Sequence, residues 1–150
     1  MAGTYSEILL HVVFSTKNRA NLIKPEIQLR LYEYMGGIIR AEKGTTYAIG
    51  GTPDHVHLLI RWRTDETVAT LLRNLKSNSS RWIKDTFPAF GDFAWQEGYG
   101  VFSVSHSQVE TVKHYIENQE EHHRGRSFKE EFIRLLEVHD IEYDERYIWE

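Results

Sequence analysis

Two histidines one residue apart, His55 and His57, lie in the run His55-Val56-His57-Leu58-Leu59-Ile60, which reads as a β-strand. Side chains alternate along a strand, so both imidazoles leave one face while Val56, Leu58 and Ile60 fill the other. Two residues span roughly 6.6 Å, which lets both rings converge on one cation. The same spacing suits a strand with one solvated face, and the pair alone leaves both readings open.

A second pair of reactive types follows later in the chain. On a helix expected from about Ser107 to His123, Val109, Val112 and Ile116 face inward, while Tyr115 and Gln119 sit four apart, one above the other. A phenol and an amide thus point together. In isolation such a pair is commonly solvent-facing, and it gains meaning only beside the histidines.

The elements that must position these groups follow from periodicity. Ile8 to Ser15 is apolar and β-branched, as in a strand covered on both faces. Pro25 and Glu26 open a helix with Ile27, Leu31, Tyr34, Met35 and Ile38 on one face, and Gly44 stops it. Gly36 and Gly37 inside that helix cost about 2 kcal/mol relative to alanine, which close packing against the sheet would justify. Thr45 to Gly50 and His55 to Trp62 form a hairpin around a loop from Gly51 to Asp54. A helix from about Glu66 to Phe87 buries Val68, Leu71, Leu72, Leu75, Trp82 and Ile83. Its Ser77-Asn78-Ser79-Ser80 stretch is either solvated or faces phosphates.

Tyr99 to Val104 alternates like a last strand, completing the order βαββαβ. That order predicts an α+β fold: a ferredoxin-like split-βαβ antiparallel sheet with helices on one face. Capping boxes at Ser107-Gln108-Val109-Glu110 and Ser127-Phe128-Lys129-Glu130 add the tyrosine-bearing helix and a further helix ending near His139.

Residues 1–150 read as one domain. The absence of cysteine excludes disulfides, thiolate metal sites and cysteine nucleophiles, so a metal would need nitrogen and oxygen ligands. The first apolar run is short and interrupted by His11, which fits neither a signal peptide nor a membrane span and predicts a cytoplasmic protein. A net charge of -4 argues mildly against a protein that coats nucleic acid. Yet Arg61, Arg63, Arg73, Lys76, Arg81 and Lys84 concentrate positive charge ahead of an acidic tail. One region can meet phosphates while the tail stays clear of them, although a solvated face explains the run equally simply.

The chain resembles the single-tyrosine transposases of the HUH nuclease superfamily, the insertion-sequence 200/605 group. The resemblance rests on His11-Val12-Val13-Phe14-Ser15-Thr16-Lys17-Asn18-Arg19, Asp54-His55-Val56-His57-Leu58-Leu59 and Ser79-Ser80-Arg81-Trp82-Ile83. It continues with Phe93-Ala94-Trp95-Gln96-Glu97-Gly98-Tyr99-Gly100, Tyr115-Ile116-Glu117-Asn118-Gln119 and Asp144-Glu145-Arg146-Tyr147. It implies a transposase that cleaves and rejoins single-stranded DNA with hairpin ends. His55, His57 and Gln119 would ligate Mg2+ or Mn2+, and Tyr115 would be the nucleophile of a 5′-phosphotyrosine intermediate.

The resemblance further implies a homodimer with composite active sites, Tyr115 coming from the neighbouring chain, although the helix can equally fold back on its own. Asp54 either fixes a ligand imidazole or caps the turn, and His11 belongs to the pattern without an evident role. Lys17, Arg19, Arg73, Lys76 and Arg81 are the candidate DNA contacts. Trp95, Gln96, Glu97 and Tyr99 read as a packed aromatic corner, with base contacts as the alternative. His106, His114, His122, His123 and His139 read as surface residues, His122 lying on the tyrosine stripe. The rival readings are a domesticated, non-mobile DNA-binding or nicking protein of the same superfamily, an initiation nickase, and a metal-dependent hydrolase that uses water.

Overall fold

The computed structural model describes residues 3–123 and 125–149. In chain order the elements are β1 (Ile8–Ser15), α1 (Pro25–Ala41), β2 (Thr45–Thr52), β3 (His55–Trp62) and α2 (Val68–Thr86). Then come β4 (Gly100–Ser103), α3 (Val109–Glu117), α4 (Gln119–His122) and α5 (Phe128–Val138). The strands form one sheet in the order β2-β3-β1-β4 with every neighbouring pair antiparallel, the ferredoxin-like arrangement that the element order predicts.

Alternation divides the sheet into two unlike faces. On one, Leu10, Val12, Phe14, Val56, Leu58, Ile60 and Trp62 pack against Ile27, Leu31, Met35 and Ile39 of α1 and Leu71, Leu72, Leu75 and Ile83 of α2. The other carries His11, Val13, His55, His57 and Leu59. Ile116 of α3 covers Leu59, and Phe128, Phe132 and Leu136 of α5 join Phe102 over Val13. The histidine face is therefore an interior layer, and the solvated-face reading of His55 and His57 does not hold.

Several local expectations change. The hairpin turn is tighter than expected, since β2 runs to Thr52 and only Pro53 and Asp54 separate the strands. Ser107 does not cap α3: Gln108 precedes the helix without a side-chain cap, and the Ser107 hydroxyl pairs with that of Ser105. The Ser127 cap does form, its hydroxyl accepting from the Glu130 amide at 3.2 Å. The third helix breaks at Asn118, whose side chain donates to the His114 carbonyl at 2.7 Å, and Gln119 starts a new turn.

The glycine pair in α1 is not there for close packing, because a Cβ at either Gly36 or Gly37 would meet nothing closer than 4.0 Å. Within the polar stretch of α2, Ser77 is exposed as a solvated reading expects, but Ser79 is structural. Ser79 is buried and accepts the Trp95 indole N–H at 3.0 Å, which pins the aromatic corner of Phe14, Phe93 and Trp95.

Candidate active site

β3 and its neighbours set the orientation of both histidines. His55 Nδ1 lies 2.7 Å from an Asp54 carboxylate oxygen and 2.9 Å from the Thr52 hydroxyl. With its Nδ1–H donated to Asp54, the ring presents the lone pair of Nε2 inward, so Asp54 fixes the tautomer and is more than a turn cap. For His57 the equivalent partner is another histidine: Nδ1 lies 2.7 Å from His11 Nε2. Burial first, then the proximity of His57, lowers the His11 pKa to about 3, so His11 is neutral; where it accepts the His57 Nδ1–H, His57 turns the lone pair of Nε2 toward Glu131. The pattern position without an evident role thereby acquires one.

α3 lies directly on β2. A Cβ at Gly50 would stand 2.1 Å from the Ile116 carbonyl oxygen, so only glycine permits this seat. Ile116 is fully buried at the contact, and its predecessor Tyr115 is turned toward the histidines, with ring centroids 5.8 Å from His57 and 6.2 Å from His11. One turn on, the Gln119 side-chain oxygen reaches 3.0 Å from His55 Nε2. His55, His57, Tyr115 and Gln119 thus meet within a single chain, the folded-back alternative of the two; a site shared between chains requires α3 to leave this seat for a neighbour's.

Two further residues enter that the sequence reading did not single out. Glu131 of α5 is 2 % exposed, and one carboxylate oxygen lies 3.0 Å from His57 Nε2, 3.4 Å from His55 Nε2 and 3.1 Å from His123 Nε2. The other oxygen accepts the Tyr115 hydroxyl. His123, read as a surface residue, is instead half-buried and also lies 3.1 Å from the Gln119 oxygen. Among the described residues, His55, His57 and Glu131 form a buried group able to hold a metal ion. Glu131 did leave a trace in the sequence: it occupies a core position among Phe128, Phe132 and Leu136, where an amphipathic helix should be apolar.

Electrostatics follow from burial. Burial lowers the His57 pKa to about 4, more than its Glu131 contact recovers. Burial also opposes a charge on His55, but its hydrogen bonds to Asp54 and Glu131 outweigh that and raise it to about 9. The Glu131 carboxyl, despite burial, is held far below the usual carboxylate range by hydrogen bonds from His123, His55 and His57. Burial and the adjacent Glu131 charge push the Tyr115 phenol above its usual value, so it is neutral near pH 7. Beside it opens a cavity of about 260 Å³ lined by Tyr115, His122, His123, Gly125, Arg126 and Glu131, with the His122 ring 4.6 Å from that of Tyr115.

The candidate DNA contacts are dispersed. Lys17 and Arg19 lie just past β1, at the end of the sheet where Ser15 pairs with His55, and Arg19 stands 5.0 Å over the Trp149 ring. Arg73, Lys76 and Arg81 sit on α2, behind the face opposite the histidines. The Lys76 ammonium bonds the carbonyls of Glu97 and Gly98 at 3.1 and 2.8 Å, a structural task, and burial lowers its pKa to about 8. Arg81 donates to Asn78 within its own helix. Trp95 and Gln96 belong to the packed corner, the Gln96 side-chain oxygen accepting the Ser15 amide. His106, His114, His122 and His139 are exposed, as expected.

Comparison with known proteins places this arrangement. The chain is 23% identical over 122 residues to the ISDra2 transposase TnpA of Deinococcus radiodurans, covering 78% of this chain and 87% of that protein. A crystal structure of a candidate transposase from Deinococcus radiodurans R1 superposes with a TM-score of 0.64 at 26% identity, over 79% of this chain and 95% of the other. The fold is also that of a REP-associated tyrosine transposase solved bound to a REP hairpin, with a TM-score of 0.53, 13% identity and coverage of 77% and 67%. Residues 4–119, from the first strand through Gln119, match the model of the IS200-like transposases, and the chain belongs to that family.

Proposed function

We propose that residues 1–150 act as one cytoplasmic domain that cleaves and rejoins single-stranded DNA at hairpin-bearing ends, using Tyr115 as the nucleophile. The observation that carries this reading is the Tyr115 ring beside the fully buried His57, whose Nε2 converges with that of the equally buried His55 on Glu131. Family membership supports DNA cleavage and strand transfer in general. Among the described residues, no helix is long and apolar enough to cross a membrane.

His55, His57 and Gln119 would hold the divalent cation, Mg2+ or Mn2+, for which nitrogen and oxygen donors are suited. When bound, such an ion supplies Lewis-acid stabilisation of charge on the scissile phosphate. The chain's own residues do the rest. Tyr115 attacks phosphorus, forming the phenolic ester as the bond to the 3′ oxygen breaks, and the ester conserves the phosphodiester energy for rejoining without ATP. Because the phenol is neutral near pH 7, it gives up its proton to solvent as it attacks while the departing 3′ oxygen takes one up, and the Glu131 carboxylate orients the hydroxyl through the hydrogen bond that it accepts. His122 and Arg126 flank the cavity beside it and offer positive or polar groups to a phosphate arriving there. Lys17 and Arg19 are the DNA contacts best situated to follow the strand toward His55, while Arg73 and Arg81 would meet a hairpin arm running behind the sheet.

The test is a covalent adduct. Wild-type protein with a labelled single-stranded hairpin and Mg2+ or Mn2+ is expected to give a band that survives denaturation, and Tyr115→Phe to give none. An adduct formed by that variant, or undiminished in excess chelator, overturns the assignment.

A further inference from the structure

Gln119 is the last residue of the stretch shared with the family, yet the site is closed by a residue beyond it, Glu131. The separations around this carboxylate have a definite geometric meaning. Neighbouring ligands on an ion with bonds of about 2.1 Å stand about 3.0 Å apart in an octahedron and about 3.4 Å apart in a tetrahedron. The Glu131 oxygen lies 3.0 Å from His57 Nε2 and 3.4 Å from His55 Nε2, and the Gln119 oxygen 3.0 Å from His55 Nε2. These spacings, which serve as hydrogen bonds and an ion pair without an ion, also match ligand-to-ligand edges, and they are reached by residues from β3, α4 and α5.

Charge makes the same point. Two neutral imidazoles and an amide bring no negative charge to a divalent ion, and Glu131 is the carboxylate that joins both histidines in the buried group. Its helix is fixed where the carboxylate must stay. Phe128 stacks on the His55 ring at 4.3 Å, and Phe128 and Phe132 in turn carry the Trp149 ring at 6.3 and 5.8 Å.

We propose that Glu131 is an additional ligand of the divalent cation, one oxygen on the ion and the other on the Tyr115 hydroxyl, so that α5 forms part of the catalytic centre. The assignment rests on the metal reading above and adds a residue to it. Binding of the ion and placement of the nucleophile then share one side chain. The competing role is that of a counter-ion, in which Glu131 merely neutralises buried histidines and is pushed aside by an ion.

The two roles predict opposite signs in a titration of metal-free protein with Mn2+, followed by electron paramagnetic resonance or calorimetry. A ligand role predicts that Glu131→Gln, nearly equal in shape, weakens Mn2+ binding by on the order of tenfold to hundredfold, at least what loss of an outer-shell partner costs. Unchanged or tighter binding by that variant overturns the proposal. Should Glu131→Gln lose its fold, as judged by circular dichroism, Glu131→Asp keeps the charge beside the histidines while withdrawing the oxygen by one methylene. The ligand role then predicts weaker Mn2+ binding at unchanged secondary structure, and wild-type affinity overturns it. His57→Ala separates the two levels of the argument. If wild type and His57→Ala are alike in failing to bind Mn2+, the metal reading itself fails; if only His57→Ala fails while the Glu131 variants bind normally, Glu131 alone is misassigned.

Discussion

The Tyr115 hydroxyl donates to the Glu131 carboxylate, joining α3 to α5 across the mouth of the histidine site. The two helices carrying these residues also pack on different strands of the sheet, α3 on β2 through Gly50 and α5 over β1 and β4 through Val13 and Phe102. A nucleophile held from both sides is oriented before substrate arrives, the arrangement from which proximity effects draw their magnitude. Its environment does not ionise it, since burial and the neighbouring carboxylate keep the phenol protonated.

Gly50 and Gly36 should respond oppositely to alanine. At Gly50 the added Cβ collides with backbone at Ile116, so α3 must lift; Gly50→Ala is expected to cost roughly 1–3 kcal/mol of stability. Adduct formation should fall with it, because Tyr115 follows Ile116. At Gly36 the nearest atom is 4.0 Å away in a helix interior, and Gly36→Ala should stabilise by about 0.4–1 kcal/mol. Thermal melts of the two variants check both signs, and a Gly50→Ala protein as stable and active as wild type would contradict the close seat of α3.

Much of this was legible in the chain. The period-two run at His55 and the apolar run at Ile8 fixed the two central strands and the shared face of the histidines. Tyr115 and Gln119 were legible through their four-residue spacing, although the helix breaks between them at Asn118. Glu131 showed only as a charge at an apolar position of α5 and His123 not at all, because their role comes from α5 folding back over the sheet, a long-range packing event that local periodicity does not encode. Lys76 was legible only as a positive charge, and its bonds to the carbonyls of Glu97 and Gly98 come from the same kind of long-range packing. The glycines show the limit most plainly, since Gly36 and Gly37 look demanding and are free, while Gly50 looks ordinary in a strand and admits no other residue.

His11 should influence the metal without touching it. With a cation on His57 Nε2 the ring proton must sit on Nδ1, and the neutral His11 Nε2, 2.7 Å away, is the acceptor for it. His11→Phe preserves bulk but removes the acceptor, and Mn2+ affinity is expected to drop on the order of 10- to 100-fold. His11→Gln restores an acceptor and should recover part of that loss. Equal affinities for wild type and His11→Phe would remove His11 from this role.

The metal-free protein should be most stable near pH 6.5. For His11 and His57 the folded pKa values, about 3 and about 4, lie below the unfolded value of 6.5. Between those limits the unfolded chain binds more protons, so stability is lost as pH falls below about 6.5. The depressed Glu131 carboxyl adds to the same acid limb, its contribution being present above the unfolded pKa and lost toward lower pH. His55 has the opposite sign: its folded pKa of about 9 means that its contribution is full below 6.5 and disappears as pH rises through 9. Thermal melts in chelator across this range should therefore pass through a maximum, and a melting temperature that climbs steadily on acidification would contradict the buried neutral histidines.

The last prediction concerns whose tyrosine serves which histidines. In the structure, α3 sits on its own chain's β2 with Ile116 against Gly50, and Glu131 of the same chain accepts the Tyr115 hydroxyl. A homodimer built from such chains carries two self-contained sites. Mixing His57→Ala with Tyr115→Phe chains distinguishes this from shared sites. If each site is self-contained, every site in the heterodimer keeps one defect, and adduct formation should not return. If α3 exchanges between chains, one of the two sites combines intact histidines with an intact tyrosine, and activity should recover to about half that of wild type. Heterodimer formation is verified with two distinguishable affinity tags. Recovered cleavage, the result expected for the composite sites that the family resemblance implies, would show that α3 leaves the seat at Gly50 for the equivalent seat on its neighbour, and no recovery from a verified heterodimer would assign each site to one chain.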